Sequence, residues 1–209
     1  MEENYMRIQR TVRYYQTGES SAEGELLMAL HGYSQHPKFF LRKIESLAGP
    51  NRIIVAPEGL HRMYVNGNSG RVGSSWMTKE DRLNDIEDYC LYLWQLAELP
   101  NFKQPKQKTL LGFSQGASAA IRLFCAYPLL FSKLILWAGA VPPDLSLPEN
   151  KSVLNAVGID LVIGDQDEFI KESDVLEIRD VLDKEGIHYR LHRFEGKHDL
   201  DVKILRQIL

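Results

Sequence analysis

A chain of 209 residues, 44% hydrophobic and 25% charged with a formal charge of -3, has the size of one domain and can bury a core without disulfides or a metal to hold it together. That balance of charge, with no basic stripe, excludes an electrostatic nucleic-acid binder. No run of 18 apolar residues occurs, so stable membrane insertion is not expected, and the polar start MEENYMRIQRTVRYY lacks the apolar segment of a secretory leader, which makes the cytoplasm the expected location.

Apolar runs of strand length alternate with helical patterns along the chain. The first, residues 7 to 15, sets Ile8, Val12 and Tyr14 on one parity and leads to the next run without a helix between them, so it reads as an antiparallel edge strand. Strands follow at 25–32, 52–59, 108–116, 133–139, 159–167 and 188–196, and most end in glycine. Helices are expected at 37–48, 79–99, 115–127, 172–186 and 199–209. In the second of these, Leu83, Ile86, Cys90 and Leu93 recur at helical spacing behind Glu80 and Asp81. This rhythm predicts a three-layer α/β/α fold over residues 1–209, a mostly parallel sheet of about seven strands. Residues 59 to 78, GLHRMYVNGNSGRVGSSWMT, show no period; a long loop after a strand's C-terminal end is expected to bind ligand. Cys90 and Cys125 lie in separate helical segments and read as reduced, buried thiols, and no cysteine spacing suits a metal.

The chemistry centres on GFSQG, residues 112 to 116. A serine hydroxyl is a weak nucleophile at neutral pH and needs a base, a group to orient that base, and donors for the oxyanion formed on attack. Ser114 stands between an expected strand and an expected helix, the context of a nucleophile elbow, and the backbone N–H of Gln115 opens that helix where an anion is favoured. The turn after LHG, residues 30 to 32, offers the N–H of Tyr33 as a second donor. His198 is the favoured base: it lies in the loop FEGKHDL, whereas His188 and His192 flank a sheet edge, His36 and His61 sit in solvated loops, and His31 pins its own loop. Asp167 leads for the acid, at the end of LVIGDQD, with Asp165, Asp144 and Glu168 as alternatives. Trp76, Met77, Val141 and Phe169 are candidate apolar contacts for a short to medium acyl chain.

LHG, GFSQG, Gly164 to Asp167 and Gly196 to His198, in that order, make the chain resemble the phospholipase/carboxylesterase family of the α/β-hydrolase superfamily, small bacterial serine esterases related to acyl-protein thioesterases. The resemblance spans nearly the whole chain. It implies Ser114 as nucleophile, Asp167 as acid, His198 as base, Tyr33 and Gln115 as oxyanion donors, and a sheet without a separate cap domain. Departures fall at Leu111 and Ala117 beside the elbow and at Trp76-Met77-Thr78, where the family often has an aromatic residue and Asp after the tryptophan. The reading is a metal-free, cofactor-free serine carboxylesterase. Its substrate is a small ester or lipid-like molecule, and a homodimer is an allowed assembly. A lysophospholipase or acyl thioesterase preferring longer chains is the alternative reading, and a non-catalytic binding protein of this fold a remote one.

Overall fold

Strands whose neighbours on both parities are apolar must be covered on both faces, and the computed structural model, which describes residues 1–209, shows how this chain does so. In chain order the elements are β1 (Tyr14–Thr17), β2 (Glu25–Leu30), α1 (Pro37–Ile44), a 3-10 turn (Glu45–Leu47), β3 (Arg52–Pro57), β4 (His61–Tyr64), β5 (Val72–Ser75) and α2 (Arg82–Ala97). They continue with α3 (Pro100–Lys103), β6 (Gln107–Phe113), α4 (Gln115–Ala126), β7 (Lys133–Trp137), α5 (Leu147–Val157), β8 (Ile159–Gly164), α6 (Glu172–Glu185), β9 (Tyr189–Phe194) and α7 (Val202–Ile208). Seven strands form one sheet in the order β1-β3-β2-β6-β7-β8-β9, parallel except for β1 against β3. This is the three-layer, mostly parallel arrangement that the alternation predicts, and it agrees with the α/β-hydrolase fold that the resemblance implies.

The strand period sorts the core into two layers. Leu26, Met28, Leu30, Ile53, Val55, Leu134 and Leu136 pack with α2, α4, α5 and α6 on one face. Their neighbours Leu27, Ala29, Ile54, Ala56, Ile135 and Trp137 pack with α1 and α7 on the other. Asp160 interrupts the apolar β8 and is 2% exposed. It is paired there by Arg190 Nε at 2.9 Å and His192 Nε2 at 2.7 Å, so His192 serves the sheet edge.

Three expectations need correction. The first strand runs over Tyr14–Thr17 and not residues 7 to 15, because its partner β3 ends at Pro57, opposite Tyr14. Beyond the Glu58 N–H, which donates to Arg13 O, the chain has no strand to pair with. Alternation sets faces, but a strand also requires a ladder. Residues 59 to 78 are not structureless: β4 and β5 pair antiparallel from His61↔Ser75 to Tyr64↔Val72. Four-residue strands, one containing Gly73, are too short to register as a period. Helix α5 was absent from the expected elements, since only Leu147 and Leu154 are buried on it. Its signal lay in its ends, with Pro148 and Glu149 in the first turn and Gly158 after the last.

Candidate active site

The elbow is built by close backbone crossings. Ser114 has φ 54° and ψ −119°, a left-handed conformation rare outside glycine, held by its N–H donating to Trp137 O at 2.8 Å. A side-chain carbon on Gly112 would lie 2.3 Å from Gly116 O, and one on Gly116 2.3 Å from Leu30 O, so only glycine lets strand, helix and neighbouring strand meet here. Half-buried Ser114 therefore sits at the C-terminal end of the parallel strands, where β6 passes into α4.

Asp167 and His198 come from the loops after β8 and β9. His198 Nδ1 lies 2.8 Å from Asp167 Oδ2, and the aspartate side chain is fully buried. Asp167 Oδ1 accepts the backbone N–H groups of Phe169 and Ile170 at 2.8 and 3.0 Å, which fix the carboxylate before it meets the imidazole. With Nδ1 engaged, the His198 ring has Nε2 to offer on its other side. The ring is flanked by Phe113, the residue before Ser114, at 5.0 Å and by Phe169 at 4.8 Å between centroids. Trp137 joins the two halves: its carbonyl takes the Ser114 N–H, and its indole N–H donates to Asp199 O at 2.9 Å. Sequence reasoning passed over Trp137, whose apolar setting in KLILW carries no sign of a hydrogen-bonding task.

Two of the alternative acids are engaged elsewhere. Asp144 receives Arg122 Nη2 at 2.6 Å, and that guanidinium holds its carboxyl below the usual range against the opposing effect of burial. Asp165 pairs with Arg193 Nε at 2.9 Å.

The turn after β2 lies against the elbow, since a methyl on Gly32 would stand 3.2 Å from Ser114 Cβ. Tyr33 follows it, 57% exposed, and its N–H donates to no protein acceptor. Gln115, as the first residue of α4, has no intrahelical carbonyl for its own N–H. His31 is fully buried, with Nδ1 2.7 Å from Gly32 O while Nε2 accepts the Gly59 N–H at 3.1 Å. Burial pushes its pKa down to about 4, so it stays neutral and holds its loop.

The apolar contacts divide. Phe169 is 71% exposed beside the imidazole, and Met77 and Val141 are half-buried. Trp76 is a correction: it is 0% exposed in the core beside Tyr89, with its indole N–H donating to His31 O at 2.8 Å, and it has no surface to offer a substrate. Cys90 and Cys125 are free thiols, both pushed up to about 12 by burial. They line a cavity of about 470 Å³ between α2 and α4 that also holds Arg122, roughly two helical turns from Ser114. No group of acidic, histidine or cysteine side chains is arranged to hold a metal ion. No helix is long and apolar enough to cross a membrane.

A strained serine at a strand-to-helix elbow, beside a buried carboxylate–imidazole pair on a parallel sheet, defines a hydrolase of the α/β class. The model of the Phospholipase/Carboxylesterase family matches residues 17–209, and the chain belongs to that family, whose members act on ester or thioester bonds. Among solved structures it is similar to acyl-protein thioesterase 2 of Zea mays, with TM-score 0.70 and 16% identity over 94% of this chain and 95% of that one. A carboxylesterase of Mesorhizobium loti gives 0.70 and 18% over 94% and 93%, and the Bacillus cereus carboxylesterase 0.65 and 15% over 94% and 91%. At these identities the likeness is one of fold. No curated protein matches the sequence.

Proposed function

We propose that this protein hydrolyses carboxylic esters of short to medium acyl chains through Ser114, His198 and Asp167. The observation that carries the reading is the His198–Asp167 hydrogen bond, 2.8 Å long and screened from water, on a loop packed against the residue before Ser114. In the proposed reaction Ser114 Oγ attacks the acyl carbonyl and His198 Nε2 takes the hydroxyl proton. The N–H groups of Tyr33 and Gln115 hold the resulting oxyanion. Collapse expels the alcohol, which leaves with the proton from His198, and the acyl group remains on Ser114. Water then attacks the acyl-enzyme by the same steps, with His198 again as base, and releases the acid and the free serine. Asp167 fixes the imidazole tautomer and faces the imidazolium formed at each step. Exposed Phe169 and half-buried Met77 and Val141 supply apolar surface for the acyl chain.

Hydrolysis of p-nitrophenyl esters from acetyl to dodecanoyl, by the wild type and by folded Ser114→Ala, tests this. The expected result is an optimum below the longest chains and a loss of about 10⁴-fold or more in the variant. A rate that keeps rising to dodecanoyl turns the reading to a lysophospholipase or acyl thioesterase. Activity retained by Ser114→Ala overturns it.

A further inference from the structure

Of the oxyanion donors named above, Tyr33 belongs to the loop after β2 and Gln115 opens α4, and a site that holds developing charge must fix the distance between its donors before substrate arrives. The segment Ser74–Met77, at the end of the β4–β5 hairpin, runs between that loop and the elbow and is bonded to each. Toward Tyr33, the Ser74 N–H donates to Gln35 O at 3.0 Å, Ser74 Oγ lies 3.0 Å from His31 Nε2, and the Trp76 indole donates to His31 O. Approach is so close that a side-chain carbon on Gly73 would lie 2.0 Å from Ser34 O. Toward the elbow, one side chain takes part in every hydrogen bond. Gln115 Nε2 donates to Met77 O at 2.9 Å and to Ser75 Oγ at 3.0 Å, while its Oε1 accepts the Trp76 N–H at 3.2 Å.

We infer that Ser74–Met77 is a strut that sets the spacing of the two oxyanion donors, and that the Gln115 side chain is its joint to the elbow. The inference rests on the Ser114 reading above. Gln115 then has two separable tasks: its backbone N–H meets the substrate oxygen, and its amide is a positioning group that holds the same residue in register with Tyr33. Departure of the amide leaves the backbone donor in place but lets the hairpin shift, and a displacement near 1 Å at such a site costs about 100-fold in rate. The expected damage is to the transition state, because ground-state ester contacts the donors only weakly.

The experiment is steady-state ester hydrolysis by wild type, Gln115→Ala, Gln115→Glu, Ser75→Ala and the Gln115→Ala/Ser75→Ala double variant, with inhibition by an alkyl boronic acid, whose serine adduct is a tetrahedral anion. In Gln115→Ala kcat is expected to fall about 100-fold with KM changed less than about 3-fold, and boronate affinity to fall in step with kcat. Gln115→Glu keeps the acceptor for the Trp76 N–H but sets an anion against Met77 O, and is expected to fall between the two. Adding Ser75→Ala to Gln115→Ala is expected to cost little more, since both break one joint. A folded Gln115→Ala with wild-type kcat overturns the strut, as does a fall in kcat that leaves boronate affinity unchanged. Should Gln115→Ala fail to fold, Gln115→Glu and Ser75→Ala carry the same comparison. Loss of the Ser114 reading is seen separately, as activity that survives Ser114→Ala.

Discussion

His31, which the sequence reads as pinning its own loop, shows how a histidine close to the chemistry can serve structure. Fully buried, it is bonded at both ring nitrogens, and its pKa is lowered from 6.5 to about 4, chiefly by desolvation. An unfolded chain takes up a proton at this residue near pH 6.5, whereas the native protein refuses it until about pH 4, so protons favour the unfolded state across that interval. The stability His31 contributes is complete above pH 6.5 and is lost as pH falls toward 4, by an amount on the order of 3 kcal/mol. Urea unfolding from pH 7 to 4.5 is expected to show this decline, with a shallower slope in His31→Gln. Equal slopes in the two proteins would assign the acid sensitivity to other groups. Of the residue-scale features, the placement of Ser114 between strand and helix and of Asp167 and His198 just beyond strand ends was legible, because each follows an apolar run that marks its strand. The tasks of Trp137 and the Gln115 amide were hidden, since each depends on carbonyls brought near from distant elements.

Elements are joined here by ion pairs as well as by apolar packing. Arg122 on α4 is 8% exposed and bonds Asp144 on the segment between β7 and α5, with Nη1 3.3 Å from Met77 Sδ. Removing one partner strands a buried charge, so Asp144→Ala is expected to lower the unfolding free energy by about 3–5 kcal/mol. Arg122→Met combined with Asp144→Leu is expected to cost less than Asp144→Ala alone, because no charge is left behind. Denaturant titration of the three proteins decides it, and a double variant worse than the single one would refute the argument. Element boundaries were legible where an amphipathic stripe was long, as in α2. They were lost in α5, where two buried leucines make no stripe, and in the β4–β5 hairpin, which gains its order from Gln35, His31 and Gln115.

Across the whole molecule, regular structure stops where pairing partners stop. No residue before Arg13 makes a backbone hydrogen bond, Met1, Met6 and Ile8 are exposed, and the Arg7–Glu87 ion pair lies in solvent with side chains 68% and 58% exposed. Exposed pairs contribute little. A chain beginning at Val12 is therefore expected to keep its unfolding free energy within about 0.5 kcal/mol of the full chain and its esterase rate unchanged. Thermal unfolding and ester hydrolysis of the shortened chain check both, and a marked loss of stability would reveal a packing role for the segment.

By itself the sequence determined the layered α/β fold, the order of its main strands and helices, and the three side chains proposed for chemistry. Alternating burial and glycine-marked strand ends are local consequences of strand and helix geometry, and they survive in one dimension. Tertiary structure alone decided where β1 begins, that residues 59 to 78 contain a hairpin, that Trp76 belongs to the core, and that Asp144 bonds Arg122 instead of a histidine. Each of these depends on a partner far along the chain, and such a partner leaves no periodic trace in the residues it orders.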